Sequence, residues 1–322
     1  MKNQVVLVTG GTGFVGIHTI LQLLQSGYIV KTTLRSLSNK QCIIDELQSA
    51  GIEDLKNLSF YEANLTSDEG WDEAVKDCDY VLHIASPFPL VEPEDENELI
   101  IPARDGSLRV LKAAGNAGVK RVVLTSSFAA VGYSISEKGH LFTEQDWTDE
   151  TVPLQPYIKS KTVAEKAAWD FVAKYGGSME LSVINPVGIF GPVIDKIYPA
   201  SFEGVIKTIV EGTLTESPAF TLGVVDVRDV ADIHIKAMLH PEANGKRFIA
   251  TSEGVVSFYD VAQIIKKERP EAAEKIADIQ PTHEDYYIQI SNRNAREILD
   301  WNPRSKEEAI LASVDSGIKQ LY

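Results

Sequence analysis

Cysteine is almost absent. Cys42 and Cys78 are the only two in 322 residues, and neither belongs to a Cys-x-x-Cys pair. A disulfide framework is therefore excluded, and the pair suits a reducing cytosol, so a cytoplasmic protein is expected. Long hydrophobic runs are missing too. No stretch approaches the ~18 consecutive apolar residues of a membrane span, and the run that starts at Val5 is broken by Thr9-Gly10-Gly11 before a secretory segment could form. Basic residues are outnumbered, 31 Lys and Arg against 46 Asp and Glu, for a net charge of −15. That argues against a nucleic-acid-binding surface or an anionic-membrane surface, since each needs a basic face. A polyanionic ligand must then meet local Arg or Lys. The six histidines (His18, His83, His140, His234, His240 and His283) show no metal-ligand spacing such as His-Glu-x-x-His. They read as core or surface residues, and no metal site is expected.

What remains is an ordinary globular composition, 44% hydrophobic and 24% charged, long enough for two domains or one large one at ~150 residues each. Short β-rich runs alternate with helical patterns: Val5 to Val8, a helix near Gly13 to Ser26, Tyr28 to Leu34, a helix near Lys40 to Ala50, Leu58 to Tyr61, a helix near Glu69 to Lys76, and Tyr80 to Ile84. A helix near Asn97 to Gly118, a strand Arg121 to Thr125, a helix near Tyr157 to Tyr175 and a strand Leu181 to Ile184 continue the rhythm. Alternation of this kind predicts an α/β, doubly wound parallel sheet of Rossmann type, its apolar strands covered on both faces. After Asn185-Pro186 the pattern loosens, with helices expected near Ser201 to Glu211 and Val227 to Leu239 and a polar, mostly helical remainder. The expected division is a dinucleotide-binding domain over 1–185, with 221–240 returning to it, and a smaller, mostly helical C-terminal substrate lobe from 186–220 and 241–322. The acidic run Glu92, Glu94, Asp95, Glu96, Glu98 reads as a solvated loop and helix start.

Directly after the first strand stands Thr9-Gly10-Gly11-Thr12-Gly13-Phe14-Val15-Gly16. Gly10 permits a tight turn, Gly13 lets the backbone approach a pyrophosphate, and Gly16 lets the next helix pack closely on the strand. The phosphates would sit at that helix's N-terminus. A version that binds NAD usually carries an acid at the end of the second strand, to hold the ribose 2′-hydroxyl. Between Ile29 and Gln41 there is no acid; Arg35 stands at that strand end, and Lys40 follows. A guanidinium fork suits a 2′-phosphate, which selects NADP(H) as cofactor.

Pro156-Tyr157-Ile158-Lys159-Ser160-Lys161 opens the long helix, with Tyr157 and Lys161 one turn apart on one face. Hydride reduction of a carbonyl leaves an alkoxide that needs a proton, which a free phenol of pKa ≈ 10 gives up reluctantly. A neighbouring ammonium is expected to lower that pKa, and Lys161 is placed to do so. Val122-Val123-Leu124-Thr125-Ser126-Ser127 ends a strand in hydroxyls, and Ser127 is the candidate donor to the carbonyl oxygen.

Together these residues resemble the extended short-chain dehydrogenase/reductase superfamily, and more narrowly its dihydroflavonol-reductase-like branch of aldehyde, ketone and methylglyoxal reductases. His83-Ile84-Ala85-Ser86-Pro87-Phe88, Asn185-Pro186 through Gly191-Pro192, and Asp226-Val227-Arg228-Asp229-Val230-Ala231 extend the likeness over most of the chain. The resemblance implies that Ile84, Ala85 and Ser86 lie against the cofactor, that Pro186, Val187 and Ile189 flank the nicotinamide, and that Lys161 also holds the nicotinamide ribose. It places Asn64-Leu65 near the adenine, where relatives have Asp-Leu. Ala130-Val131-Gly132 replaces the Thr-Val-Asn of plant dihydroflavonol reductases, and Gln155-Pro156-Tyr157 lacks the Cys-containing signature of cinnamoyl-CoA reductases. Dihydroflavonols and CoA thioesters are thus disfavoured. Phe88, Phe128, Tyr133, Ile194, Tyr198 and Phe202 are candidate walls for a small apolar carbonyl substrate.

The reading is an NADPH-dependent reductase of aldehydes and ketones, with Tyr157 as proton donor, acting as a monomer or homodimer. A sugar-nucleotide epimerase or dehydratase is the alternative of like fold, but Ser182-Val183-Ile184-Asn185 lacks the Arg that those enzymes carry before the Asn. A non-catalytic NADPH sensor is the third reading; such relatives often lose the tyrosine or lysine, and both are retained here.

Overall fold

The computed structural model describes residues 4–87 and 93–318. Seven strands form one parallel sheet in the spatial order Lys246–Ala250, Glu180–Pro186, Arg121–Thr125, Tyr80–His83, Val5–Thr9, Ile29–Leu34 and Leu58–Glu62. The first half alternates β1 (Val5–Thr9), α1 (Phe14–Gln25), β2 (Ile29–Leu34), α2 (Lys40–Ser49), β3 (Leu58–Glu62), α3 (Trp71–Val75) and β4 (Tyr80–His83). Then follow α4 (Asn97–Asn116), β5 (Arg121–Thr125), the single turn α5 (Ala129–Gly132), β6 (Leu141–Phe142), α6 (Pro156–Tyr175), β7 (Glu180–Pro186) and β8 (Gly188–Phe190). Alternate residues of each central strand enter opposite cores. Val6, Val8, Leu82, Val123 and Ile184 pack with α1 and α2, whereas Leu7, Val81, Val122, Leu124 and Val183 pack with α3, α4 and α6. Two covered faces favour apolar side chains along the middle of each strand, which is why these strands read as near-continuous apolar runs.

Chain order reverses between β1 and β4, since β2 and β3 continue to one side and β5 and β7 to the other. A parallel sheet opens a crevice at such a point, at the carboxyl ends of its strands.

Beyond β8, Phe202–Ile206 winds as a wide π turn into α7 (Lys207–Val210), where the sequence predicts one continuous helix. Then come β9 (Leu222–Asp226), α8 (Val227–Leu239), β10 (Lys246–Ala250), β11 (Val255–Val256), α9 (Phe258–Glu268), β12 (Gln289–Ile290), α10 (Arg293–Leu299) and α11 (Lys306–Gly317). A separate core of Phe190, Phe202, Ile206, Val261, Ile265 and Ile310 holds the small lobe together. β8, β9 and β11 form its sheet, and β12 pairs with β6.

The expected division needs correcting at more than one place: within 221–240, α8 packs in the main core, but β9 pairs with β8 and β11 in the small sheet. Lys246–Ala250, assigned to the lobe, is the edge strand of the main sheet, paired in register with Ser182–Pro186. Phe248 and Ala250 enter the same core as α8, together with Ala295, Leu299 and Trp301. The apolar alternation of this strand is interrupted by Arg247, a charged residue that reads as surface but is buried.

Candidate active site

The glycine turn joins β1 to α1 at the crevice. Gly10 has φ +74°, and a Cβ there would come within 3.0 Å of the Ala85 backbone. A Cβ on Gly16 would lie 2.2 Å from the Gly10 carbonyl oxygen, so the helix can approach the turn only without a side chain. Gly13 is looser, 3.3 Å from the same oxygen, and it is exposed, as is Thr12. No side chain caps α1 and its first turn holds no acid. The leading N–H groups and the positive end of the helix dipole are thus left for an anion. Phe14 is buried with Val193 and Val227, and Val15 packs against them.

Arg35 follows the last residue of β2 and Lys40 opens α2; both are exposed, and neither makes an ion pair among the described residues. Asn64 is engaged locally, its side-chain oxygen accepting from the Thr66 N–H and hydroxyl, each at 3.1 Å. Leu65 packs on Gly106 of α4, where a Cβ would come within 2.8 Å of it.

Sequence reasoning passed over Thr9. Its hydroxyl accepts the N–H groups of Ile84 and Ala85, both at 3.0 Å, and lies 2.8 Å from His83 Nδ1. With its oxygen accepting two amides, the hydroxyl donates to Nδ1, which assigns the ring proton to Nε2. Thr9 thereby pins the 84–86 segment against the glycine turn. His83 is buried, and burial, with the Lys161 charge, lowers its pKa to about 3. Only a hydroxyl at the end of β1 facing a strand far along the chain could have signalled this link.

Ser127, Tyr157 and Lys161 meet where the ends of β5 and β4 approach the first turns of α6. The side chains of Tyr157 and Ser127 are hydrogen-bonded. Lys161 Nζ donates to Ser86 Oγ at 2.9 Å and lies 5.8 Å from the centre of the Tyr157 ring. This arrangement corrects one expectation. Burial raises the Tyr157 phenol, with the Ser127 hydrogen bond drawing it partly back and the Tyr133 phenol pushing it further up. The ammonium is turned to Ser86 instead, and burial lowers its own pKa to about 8 against the opposing pull of Glu165.

The nicotinamide-side candidates line the chain from β7 to β8. The Pro186 carbonyl accepts from Phe128 N–H at 2.9 Å, and Val187 N–H donates to Ala250 O at 3.2 Å. Ile189 packs beside Phe14 and Tyr198. The expected substrate walls divide. Tyr133 is half exposed, and Tyr198 is partly buried with its ring 5.0 Å from that of Phe202. Phe128 and Phe202 prove to be core: Phe128 is enclosed by Phe142 and Val131, and Phe202 is fully buried in the small lobe. Ile194 lines a cleft with His18, Gln22 and Arg228, on the α1–α8 side. Phe88 and Glu92 lie outside the described residues.

No described helix is long and apolar enough to cross a membrane, and among the described residues no group of His, Cys, Asp or Glu could hold a metal ion.

The chain is similar over its whole length to solved reductases. It shares 28% identity with the yeast methylglyoxal/isovaleraldehyde reductase Gre2 complexed with NADPH, at a TM-score of 0.88 with 99% of each chain covered. For Gre2 of Candida albicans with NADPH the values are 29% and 0.86, covering 98% of this chain and 99% of that one. A cinnamoyl-CoA reductase of Medicago truncatula is 32% identical across 97% of this chain and 95% of its own. Residues 6–250, from β1 through β10, match one family model, and the chain accordingly belongs to the NAD dependent epimerase/dehydratase family.

Proposed function

We propose that this chain is an NADPH-dependent reductase of aldehydes and ketones, with Tyr157 the proton donor, Ser127 the donor that polarises the carbonyl oxygen, and Lys161 the cationic partner and ribose anchor. The observation that carries the reading is the hydrogen-bonded Tyr157–Ser127 pair, one helical turn from a buried lysine, at the sheet edge that also holds the glycine turn.

The residues present fit a phosphorylated dinucleotide. A Gly10 and a Gly16 too crowded for a Cβ, a helix start without a capping side chain, and Arg35 and Lys40 at the end of β2, without an ion pair among the described residues, suit a pyrophosphate and a 2′-phosphate. Gly10, Thr12, Gly13, Phe14, Val15 and Gly16 would cradle the phosphates, Asn64 and Leu65 would border the adenine, and Pro186, Val187 and Ile189 the nicotinamide. When bound, NADPH supplies the hydride that reduces the carbonyl carbon.

The protein's part is to receive the charge on oxygen. A phenol raised by burial stays protonated until an alkoxide develops beside it, and Ser127 shares the same oxygen. Positive charge on Lys161 then stabilises the phenolate left behind. Tyr133 and Tyr198 would border a small apolar carbonyl compound.

The test is consumption of NADPH, followed by nicotinamide absorbance, across aliphatic and aromatic aldehydes, ketones and one CoA thioester. Turnover with free carbonyls and not with the thioester is expected. Silence across the panel, or tightly retained NAD with epimerisation of a sugar nucleotide, would overturn the reading.

A further inference from the structure

Tyr157 and Lys161 occupy successive turns of one face of α6, and the next turn of that face carries Glu165. Its carboxylate is buried, with 1% of the residue exposed. One oxygen accepts from Ser126 Oγ at 2.5 Å and Asn185 Nδ2 at 2.7 Å; the other accepts from Arg247 Nε at 2.6 Å and Trp169 Nε1 at 3.3 Å. Arg247 is itself buried on β10, donating to the carbonyls of Ala130, Glu144 and Asp146 and stacked 3.7 Å from the centre of the Trp147 ring.

A buried ion pair is weak evidence of stabilisation, because removing two charges from water costs about as much as their attraction returns. What the pair touches points to another use. Ser126 precedes Ser127 in the chain, and the Asn185 amide that donates to Glu165 also donates to the Ser127 carbonyl at 3.1 Å. Holding that orientation leaves Asn185 Oδ1 buried without a partner among the described residues. Lys161 faces His83 from β4, Ser86 from the segment after it, and Tyr157 and Glu165 from its own helix. Of these, His83 is held neutral by burial, and Glu165 is the anion that favours the charged lysine.

We propose that Glu165 is a positioning residue of the reductase: anchored by Arg247, it fixes the Ser127 backbone against Tyr157 through Ser126 and Asn185, and it sets a negative charge one helical turn from the Lys161 ammonium. The proposal rests on the reading of Ser127, Tyr157 and Lys161 as the reacting groups.

Its test compares wild type with Glu165→Gln, Glu165→Asp and Ser126→Ala. The double variant Glu165→Gln/Arg247→Met, in which neither charge is left alone in the interior, is carried alongside should the single change fail to fold. kcat as a function of pH, NADPH affinity by fluorescence and thermal unfolding are recorded for each. The neutral variants are expected to lose about 10- to 100-fold in kcat, to shift the basic limb of the kcat profile down by about one pH unit, and to bind NADPH as wild type does. Glu165→Asp should restore the limb, and Ser126→Ala should lower kcat without moving it. Wild-type kcat in a folded neutral variant, or a lowered kcat with an unmoved limb, would overturn the proposal. Tyr157→Phe is assayed in parallel. If it stays active, the reading of the reacting groups fails; if it is inactive while the Glu165 variants match wild type, only the role of Glu165 fails.

Discussion

The two ends of the crevice are built by different means. On the β1–β2 side the chain uses backbone: a turn whose Gly10 and Gly16 admit no Cβ, a helix start without a cap, and exposed cations that make no ion pair among the described residues. On the β5–β7 side it uses polar side chains from distant segments, with the part-buried Ser86, Ser127 and Tyr157 and the buried Lys161 backed by the buried Glu165, Asn185 and Arg247. The first design receives an anion with little reorganisation, since N–H dipoles are already aligned. The second must hold charges away from water until a reaction needs them, which demands that each be supported by a partner.

The sharpest way to separate the two ends is Tyr157→Phe. Loss of the phenolic proton should reduce kcat/KM for carbonyl reduction by about 10²- to 10⁴-fold, while NADPH still quenches protein fluorescence with wild-type affinity. A parallel loss of cofactor affinity would show that the two ends are not separable.

Acid should reach buried histidines at both ends, since burial also lowers His18 of α1 to about 4. His83 and His234 lie beneath the catalytic strands, His234 through a 2.6 Å contact with Thr125 Oγ1, and burial lowers them to about 3 and about 4 from the usual 6.5. Between those values and about pH 6.5 the unfolded chain binds more protons than the folded one, so stability rises with pH through this window and falls on acidification. At about 1.4 kcal/mol per pKa unit, His234 alone costs about 3 kcal/mol by pH 4. Urea midpoints measured from pH 7 to pH 4 should fall steadily; a flat profile would contradict the burial of these rings.

The same contrast explains what the sequence disclosed. The glycine turn, Arg35 and the Tyr157–Lys161 spacing are local patterns in which neighbours in the chain are neighbours in space, so they could be read directly. Thr9 and Glu165 work through residues tens of positions away, and although Glu165 shares a helix face with Tyr157 and Lys161, spacing does not name its partners. Arg247 is silent in the sequence for the same reason, since its partner Glu165 stands on another element. Phe128 and Phe202 are candidate walls in the sequence, although an apolar residue taken singly is more often core, and the packing of Phe142, Val131 and the small lobe around them decides for core.

At the backbone-built end, Arg35→Ala should change selectivity rather than chemistry. A charge-assisted hydrogen bond contributes about 1.5–3 kcal/mol, so the preference for NADPH over NADH should fall about 10- to 100-fold, with kcat/KM for NADH unchanged. Equal losses for both cofactors would place Arg35 away from the 2′-phosphate.

The finest distinction lies within the glycine turn. At Gly16 a methyl group would stand 2.2 Å from the Gly10 carbonyl oxygen, a backbone atom that cannot swing aside; at Gly13 the corresponding distance is 3.3 Å and the residue is exposed. Gly16→Ala must therefore shift α1 relative to β1, an overpacking that costs about 1–3 kcal/mol of stability and moves the helix start that is to receive the phosphates. Gly13→Ala needs a displacement of only a few tenths of an ångström, and its backbone angles, φ −94° and ψ 159°, are open to any residue. Its unfolding midpoint should stay near wild type while NADPH affinity falls, because the added methyl occupies the face along which a pyrophosphate must approach. Unfolding curves and NADPH titrations on the two variants would separate helix packing from phosphate access; equal destabilisation of both would mean that the turn tolerates no side chain at either position and that Gly13 serves packing alone.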